Sequence, residues 1–284
     1  MGTISDNLGM DNFELEKVET DLLIEAALKV YGYDFRNYAK ASLIRRIKDF
    51  IETKGHKRIS EIIPDIVYDR EVFNLFIQNL SITVTDMFRD PEVYRIIRDE
   101  VIMLLKTYPF LKIWHAGCAT GEEVYSLAIL LKEEGLYDRC QIYATDFNNI
   151  ALAKAKEGIY SLERVKNFTS NYIKAGGKQS FSNYYITNEE SFIIDRKLKK
   201  NITFANHNLA TDTAFGEMNL IMCRNVMIYF DQKLQNKVLK LFYDSLVING
   251  VLCIGTKESL KFSGIEANFS VFSAKGKIYQ KKQI

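Results

Sequence analysis

The sequence predicts an α/β protein in which a helical N-terminal region precedes a domain built on a parallel sheet. Up to about Asp90, apolar residues recur every three or four positions, which is typical of helices. From Leu111 onward, short β-rich runs alternate with helix-like segments, a pattern that indicates a parallel sheet. The chain has 284 residues, of which 47% are apolar and 26% charged. It is therefore long enough for one large domain with a smaller one attached.

The helical region is expected to span residues 13–90, after a short tail at 1–12. The first helix ends at Gly32, and apolar residues line one of its faces: Leu15, Val18, Leu22 and Ala26. The second helix carries another apolar stripe: Leu43, Ile47, Phe50 and Ile51. Pro64 and the segment Phe73–Ile82 indicate two further short helices. No part of this region alternates with period two, so we predict a small helical bundle.

The second region, residues 91–284, reads as strands and helices in alternation. Strands are predicted at Leu111–His115, Gln141–Thr145, Asn219–Cys223 and Val251–Gly255. Helices are predicted between them at Glu123–Glu134, Ile150–Gly158 and Gln232–Val247. The segment 177–206 contains three strand-like runs and no helix, so we expect a small β-insertion there. The run FSVFSAKGKIYQKK near the end predicts two antiparallel strands joined by a glycine turn at the edge of the sheet.

Composition excludes several classes of protein. The 4 cysteines form no C-x-x-C pair, so we expect reduced, mostly buried thiols rather than a zinc ribbon or disulfides. With only 3 histidines, we expect no metal centre and no histidine relay. We find neither a signal peptide nor a run of the ~20 apolar residues that a membrane span needs, so a soluble cytoplasmic protein is expected. The net charge of +2 indicates no partner by itself.

The segment IWHAGCATGEEVYSLAILL predicts a ligand site, because a strand leads through a glycine loop into a helix. Gly117 and Gly121 allow a tight turn and a close approach of the backbone to a ligand. The spacing is not G-x-G-x-x-G, and two acidic residues follow the loop, so a dinucleotide pyrophosphate fits poorly. A ligand that carries positive charge, such as an ammonium or a sulfonium group, fits better.

The acidic residues of this region allow two interpretations. Thr120 and Glu123 have the spacing of a capping box, which would need no ligand, whereas Glu122 lacks that explanation. Asp146 ends the next strand, where an acidic residue can bind a ribose diol or merely cap a helix. Taken together, the loop and Asp146 predict an adenosine-containing ligand without phosphates, for which S-adenosylmethionine is the obvious candidate.

Seven segments along most of the chain resemble the CheR-type chemotaxis receptor glutamate methyltransferases. They are SLIRRIKDFI, LSITVTDMFRDPEVY, AGCATGEEVYS, ATDFNNIALAKAKEGIY, NHNL, MCRNVMIYFDQ and GTKESL. The resemblance implies a Rossmann-like S-adenosylmethionine-dependent methyltransferase domain with a small antiparallel β-subdomain insert, preceded by an N-terminal all-helical domain. It also implies methyl transfer to glutamates in the cytoplasmic helical region of chemotaxis receptors. The products would be glutamate 5-O-methyl esters and S-adenosylhomocysteine, and we expect a monomer.

The resemblance also assigns site residues. The implied cofactor-binding set is Thr83, Thr85, Arg89, Gly117, Glu122, Glu123, Asp146, Asn208, Leu209, Arg224 and Asn225. Arg89 and Tyr229 are the residues that we expect to act in the transfer step, and no metal is implied. This chain departs from the family at three positions, because Thr83 replaces an asparagine, Met87 an aromatic residue and Thr256 a histidine.

A basic segment in the helical region is the expected receptor contact. The stretch Tyr33–Arg58 holds eight basic and three acidic residues, a net charge of +5. Arg45, Arg46 and Lys48 lie in its centre, and a glutamate-rich receptor helix would be attracted to them. An ordinary solvated helix face is the alternative. Nucleic acid is not expected, since the patch is short and lacks interleaved aromatic residues.

Two other functions are compatible with the sequence. The departures at Thr83, Met87 and Thr256 allow a signalling adaptor that binds S-adenosylmethionine but transfers no methyl group. A methyltransferase for RNA or for a different protein would keep the same cofactor site. Base-labile label from methyl-labelled S-adenosylmethionine would mark a glutamate methyltransferase, stable label another methyltransferase, and cofactor binding without label an adaptor.

Overall fold

The computed structural model of the chain describes residues 11–81, 85–214 and 216–283. These residues form two compact units. The first unit contains the described residues up to 81 together with Tyr229–Leu234, and the second contains the remainder.

The first unit is helical, as the sequence predicts. Its helices are α1 (Asn12–Tyr31), α2 (Lys40–Thr53), α3 (Ile63–Tyr68) and α4 (Arg70–Leu80), with a 3₁₀ turn at Ile59–Ile62. Gly32 ends α1 in the left-handed conformation, with φ of 77°. The predicted apolar stripe of α2 is confirmed, since its four residues are all buried.

The apolar face predicted for α1 is only partly buried, since Leu15 and Ala26 are half-buried. Val18 is 45% exposed and Leu22 is 56% exposed. The residues that α1 buries are Thr20, Leu23, Ile24 and Ala27. Because α1 has apolar residues on several sides, a three-to-four spacing alone could not determine which face meets the other helices.

The second unit is built on a seven-stranded sheet with strand order β6-β2-β1-β7-β8-β10-β9. The first five strands of that order are parallel, and β10 is antiparallel to both β8 and β9. The strands are β1 (Leu111–Ala116), β2 (Cys140–Asp146), β6 (Ile202–Asn206), β7 (Met218–Cys223), β8 (Leu246–Ile254), β9 (Phe269–Ser273) and β10 (Ile278–Lys281). The parallel sheet and the antiparallel edge are both confirmed.

Six α-helical segments accompany this sheet. They are α5 (Pro91–Ile96), α6 (Ile102–Leu105), α7 (Glu122–Glu133), α8 (Asn149–Glu157), α9 (Val165–Lys174) and α10 (Gln232–Ser245). A π-helical turn, Ile97–Val101, lies between α5 and α6. Ten of the twelve residues of α7 are buried, as expected for a helix that packs tightly in the core.

The small antiparallel sheet exists, but its strands differ from those predicted. Its order is β3-β5-β4, with β3 at Ile159–Ser161, β4 at Tyr185–Thr187 and β5 at Ser191–Ile194. The third run of the predicted segment 177–206 is β6, which pairs with β2 in the main sheet. The first strand of the small sheet comes before the predicted segment. A three-residue strand is too short for its pattern to be recognised in the sequence.

The core of the second unit is formed by apolar side chains of β1, β2, β7 and β8 and of the helices around them. Cys118, Cys140, Cys223 and Cys253 are all buried and free, as the sequence predicts. Within the described parts of the chain, we find no helix that could cross a membrane. The same residues contain no group of three His, Cys, Asp or Glu side chains that could hold a metal ion.

Candidate functional site

The carboxyl ends of the parallel strands form the edge at which a ligand site is expected. β1 lies in the middle of the sheet, with β2 and β6 on one side and β7 and β8 on the other. The chain runs from β1 to β2 on one side and from β7 to β8 on the other. Because these two connections diverge, a crevice forms between them at this edge. The loops after β1, β6 and β7, together with the end of β2 and the start of α7, contain eight of the eleven predicted cofactor-binding residues.

The glycine loop after β1 is held tightly against its neighbours. The backbone N–H groups of Gly117 and Cys118 donate to the carbonyl of Thr145, at 2.8 and 2.9 Å. Gly117 has φ of 72°, and a Cβ atom there would lie 2.4 Å from Cγ2 of Val226 in the loop after β7. The loops after β1 and β7 therefore approach so closely that only glycine fits at this position.

The predicted capping box does not form. Gly121, in the left-handed conformation, precedes α7, and no side chain caps the helix. The Thr120 hydroxyl donates instead to Oε2 of Glu122, at 2.6 Å. The other oxygen of Glu122 accepts from Arg164, at 2.7 Å, and the side chain is 1% exposed. Burial raises the pKa of Glu122, while Arg164 and Thr120 oppose that rise.

Glu123 has a different set of partners from Glu122. Its Oε1 atom accepts from the Tyr94 hydroxyl, at 3.1 Å, and pairs with the guanidinium of Arg224. Burial strongly raises the pKa of Tyr94, and the neighbouring Glu123 adds to that rise. Both contacts of Glu123 use the same oxygen. Each of the two acidic residues therefore binds one arginine, and neither caps α7.

Arg224, predicted to contact the cofactor, lies in a buried network of protein groups. Besides Glu123, its guanidinium binds the carboxylate of Asp90, at 2.6 Å, and the carbonyl of Arg89, at 2.9 Å. The Glu123 carboxylate raises the pKa of Arg224 against the effect of its burial. Its Nε atom is buried and has no hydrogen-bond partner among the described residues.

Asp146, at the end of β2, accepts hydrogen bonds from the loops after β1 and β2. One carboxylate oxygen accepts from the N–H of Ala119 in the glycine loop, at 2.9 Å. The other accepts from the N–H of Asn148, also at 2.9 Å. The side chain is buried, which raises the pKa of Asp146, although these N–H groups favour the charged form.

The Asn208–Leu209 pair follows β6 at the same edge. The preceding residue, His207, donates its N–H to the carbonyl of Asp146, at 3.2 Å, which fixes this loop beside the end of β2. Asn208 accepts from the N–H of Ala210 through Oδ1, at 2.9 Å, and Leu209 is buried. The structure thus places this pair next to Asp146, as an adenosine site would require.

Glu258 is a site residue that the sequence analysis missed. It is buried, and its carboxylate accepts from the N–H groups of Gly255, Asn225, Val226 and Ile228. It therefore fixes the loop after β7, in which Asn225 has φ of 59°. The GTKESL motif contained the signal, but the sequence assigned no role to the turn because its histidine is absent.

The segment Thr85–Asp90 lies at the start of the second unit, whereas Thr83 lies outside the described residues. Thr85 is buried, and Arg164 donates to its carbonyl. Arg89 is half-buried. Phe88 and Asp90, on either side of it, both have φ of 52°, a conformation that is rare for residues other than glycine.

The remaining predicted residues lie in the first unit. Tyr229 is half-buried, and its carbonyl accepts from the N–H of Ala39, at 2.8 Å. Arg46 lies 5.2 Å from the Tyr229 ring and donates to the carbonyl of Leu80, at 2.7 Å. Lys48 pairs with Glu16, at 2.7 Å, whereas Arg45 is exposed. Of the three predicted receptor contacts, Arg46 therefore has a packing role in this unit.

The residues at the sheet edge fit the methyl donor that the sequence predicts. Asn225 Oδ1 is buried without a hydrogen-bond partner among the described residues. Since buried polar atoms are nearly always hydrogen-bonded, this oxygen is expected to accept from a ligand. Asp146 stands at the end of the second strand, where a ribose diol would meet it. Glu122 and Glu123 directly follow the glycine loop, and their negative charges would repel a phosphate there.

Comparison with known proteins identifies the family of this chain. A family model described as "CheR methyltransferase, SAM binding domain" matches residues 83–278. The chain is 45% identical over 264 residues to a Pseudomonas putida protein named "Putative methyltransferase Cher3", covering 93% of this chain and 97% of that one. It is 31% identical to a "Chemotaxis protein methyltransferase" of Escherichia coli (69% of this chain, 67% of that one) and 30% identical to one of Listeria innocua (81% and 85%).

The family match covers most of the second unit, including the glycine loop, Asp146, the loop after β7 and Glu258. S-Adenosylmethionine is therefore the cofactor of this unit. The chain belongs to the CheR family of S-adenosylmethionine-dependent methyltransferases.

Proposed function

We propose that this protein transfers the methyl group of S-adenosylmethionine to glutamate side chains of chemotaxis receptors, forming glutamate 5-O-methyl esters. The observation that carries the proposal is the family match over residues 83–278, a range that includes the residues predicted to bind the cofactor. Relatives that align over most of their length, in Escherichia coli and Listeria innocua, are named chemotaxis protein methyltransferases. The receptor substrate places the reaction in the cytoplasm.

This reaction needs no general base from the protein. A glutamate carboxylate has an ordinary pKa near 4.3, so it is ionised and nucleophilic at neutral pH. When bound, S-adenosylmethionine supplies an electrophilic methyl group on a sulfonium. The protein must therefore bind both partners, align them and exclude water, and such positioning can contribute several kcal/mol.

The three histidines support a reaction without a base. Burial, together with the positive charge of Arg224, lowers the pKa of His115 to about 3, so the ring is neutral. His207 faces the carbonyl of Thr213 through Nε2, at 3.1 Å. His56 belongs to the first unit, where it faces the carboxylate of Asp65, at 2.9 Å.

Arg89 and Tyr229 are the residues to which we assign the transfer step. We expect the Arg89 guanidinium to orient either the incoming carboxylate or the carboxylate of the cofactor. Its backbone is fixed for this task, because Arg224 binds its carbonyl. We expect Tyr229 to shape the pocket around the methyl group, and the packing of Arg46 against its ring supports a fixed orientation.

The cofactor contacts are divided among the loops. Asp146 is expected to bind the ribose, with Asn208 and Leu209 on the adenine side. Asn225 has a buried side-chain oxygen without a protein partner, which suits a donor group of the cofactor. Glu123, with both of its protein contacts on Oε1, is expected to meet a positively charged group of the cofactor through Oε2. Glu122 is expected to support the glycine loop.

A labelling experiment tests the proposed function. Membranes that carry chemotaxis receptors are incubated with the protein and methyl-tritiated S-adenosylmethionine, and the label is then treated with base. Glutamate esters release the label as methanol. Label that survives base would show methylation of another group, and cofactor binding without label would show an adaptor. Either outcome would overturn the proposal.

Two variants test the assignment of the transfer residues. Arg89→Ala and Tyr229→Phe are expected to lower kcat by about 10²-fold or more, because alignment contributes strongly to the rate. Arg95→Ala removes an exposed arginine nearby in the sequence and is the matched control. Full turnover in both Arg89→Ala and Tyr229→Phe would contradict the assignment, whatever the substrate.

A further inference from the structure

A tight turn after β8 displays an aromatic side chain to solvent. The N–H of Ser263 donates to the carbonyl of Leu260, at 3.2 Å, so these residues close a four-residue turn. Lys261 and Phe262 are its two central residues. Phe262 is 87% exposed, although its φ is 63°.

This conformation is unusual for phenylalanine. A turn with positive φ at its third position normally has glycine or asparagine there, because a Cβ atom strains the backbone. Phe262 adopts that conformation without the burial that could offset the strain. Of the six other described non-glycine residues with positive φ, Phe88, Asp90, Ala119 and Asn225 lie in the site already described, whereas Asn249 and Lys277 lie elsewhere. Strained residues of this kind concentrate at functional sites.

The turn closely follows Glu258, which binds the loop after β7. Leu260 is 1% exposed, and the Ser263 hydroxyl donates to its carbonyl, at 2.6 Å, so the base of the turn is anchored. Glu258, two residues before Leu260, binds the N–H groups of Asn225 and Val226. Phe262 thus follows a segment that is anchored to the loop after β7, at the carboxyl edge of the sheet where we expect the methyl donor to bind.

The exposed charges that lead into the turn are positive. Lys257 and Lys261 are both exposed, and Glu258 between them is buried and bound to backbone N–H groups, whereas the next acidic residue, Glu266, is exposed beyond the turn. The turn therefore offers one aromatic ring flanked by two cations. Its chemistry suits a partner that presents an apolar side chain among carboxylates.

We propose that the Lys261–Phe262 turn is a docking element for the methyl-accepting helix, which deepens the proposed function and rests on it. Phe262 packs against an apolar side chain of that helix, and Lys257 and Lys261 meet carboxylates around the target glutamate. An anionic lipid surface would also attract one ring and two lysines. The position of the turn on the transfer edge favours the substrate, since a group there contacts whatever reaches the methyl donor.

Phe262→Gly separates this role from a structural one. Glycine suits the backbone conformation, so the variant is expected to raise the melting temperature by roughly 2–4 °C. We expect it to raise the KM for a soluble receptor cytoplasmic fragment about 10-fold. The kcat and the Kd for S-adenosylmethionine are expected to stay unchanged. If Phe262 only stabilised the fold, its replacement would not raise the melting temperature and weaken substrate binding at the same time.

Two control variants match the two properties of Phe262. Asn249→Gly relieves the backbone strain of another residue with φ of 63°. Phe110→Ala removes a half-exposed aromatic residue that precedes β1, at the end of the strand opposite to the glycine loop. Both are expected to leave the KM unchanged. Lys257→Ala with Lys261→Ala is expected to raise the KM, and added salt is expected to weaken that effect.

The outcomes separate the docking role from the proposed function. An unchanged KM in Phe262→Gly, with the wild type forming receptor esters, would overturn the docking role alone. Absence of esters with the wild type would overturn both. Binding of the wild type to phosphatidylglycerol vesicles, lost in Phe262→Gly while the KM for the soluble fragment is unchanged, would assign the turn to the membrane and also overturn the docking role.

Discussion

Two arginines from distant parts of the chain hold the acidic residues that follow the glycine loop. Arg164 binds Glu122, and Arg224 binds Glu123. The guanidinium of Arg164 also binds Asp86, at 2.7 Å, so it joins the start of α7 to the segment that contains Thr85. Buried carboxylates need such partners, because an unpaired buried charge is costly. The acidic pair could be predicted from the sequence, but these partners are 42 and 101 residues away.

Glu258 is a second residue on which this site depends, because it stabilises the loop that contains Arg224 and Asn225. We expect Glu258→Gln to cost about 1–3 kcal/mol, because the amide nitrogen, unlike either oxygen of the carboxyl group, cannot accept from a backbone N–H. It is also expected to weaken S-adenosylmethionine binding, since Asn225 lies in the same loop. Chemical denaturation measures the first effect, and titration calorimetry measures the second.

The pH dependence of this variant has a definite sign. Burial raises the pKa of Glu258 above its usual value of 4.5. A carboxyl that binds protons more tightly in the folded state adds stability at low pH, and this contribution is lost as the pH rises through the folded pKa. The excess stability of the wild type over Glu258→Gln should therefore shrink as the pH rises from about 4.5. An excess that grows with pH would contradict this, and Glu266→Gln, an exposed change, is the control.

At the scale of elements, the buried strands could be predicted best. Leu111–His115, Gln141–Thr145 and Asn219–Cys223 each lie within one residue of the observed ends of β1, β2 and β7. Strands covered on both faces are continuous apolar runs, which stand out in a sequence. The pairing of β6 with β2 and the three-residue β3 could not be predicted, because both depend on contacts with distant segments.

The glycine loop gives a prediction for a single element. Gly117→Ala is expected to lower the affinity for S-adenosylmethionine at least about 10-fold and to destabilise the protein by roughly 1–3 kcal/mol. The added Cβ would lie 2.4 Å from Cγ2 of Val226 and would push the loops after β1 and β7 apart. Calorimetric titration and chemical denaturation measure the two effects.

The chain contains a matched control for this variant. Gly135 has φ of 73°, close to the 72° of Gly117, but a Cβ atom there would meet nothing within 4 Å. Gly135→Ala therefore has the same backbone strain without the contact. Val226→Ala in the Gly117→Ala background should restore part of the affinity. Equal effects of the two glycine variants would contradict the close approach of the loops.

At the scale of the whole molecule, the net charge of +2 conceals an uneven distribution. The basic stretch Tyr33–Arg58 predicts a strong positive patch, but acidic residues of α1 neutralise part of it. Lys40 pairs with Asp21, and Lys48 pairs with Glu16, each at 2.7 Å. These partners lie 19 and 32 residues earlier in the chain, so the local charge count overestimated the patch. Arg45 remains exposed in the middle of α2.

Arg45 is therefore the member of the predicted trio that we expect to attract the receptor. Arg45→Ala should lower kcat/KM for receptor methylation about 3–10-fold near 20 mM salt, and the loss should fade near 300 mM, where exposed charges are screened. Lys112→Ala removes an exposed charge from the second unit and should change kcat/KM less than about twofold. A loss that persists at high salt, or equal losses in both variants, would show that the positive charge of α2 does not steer the substrate.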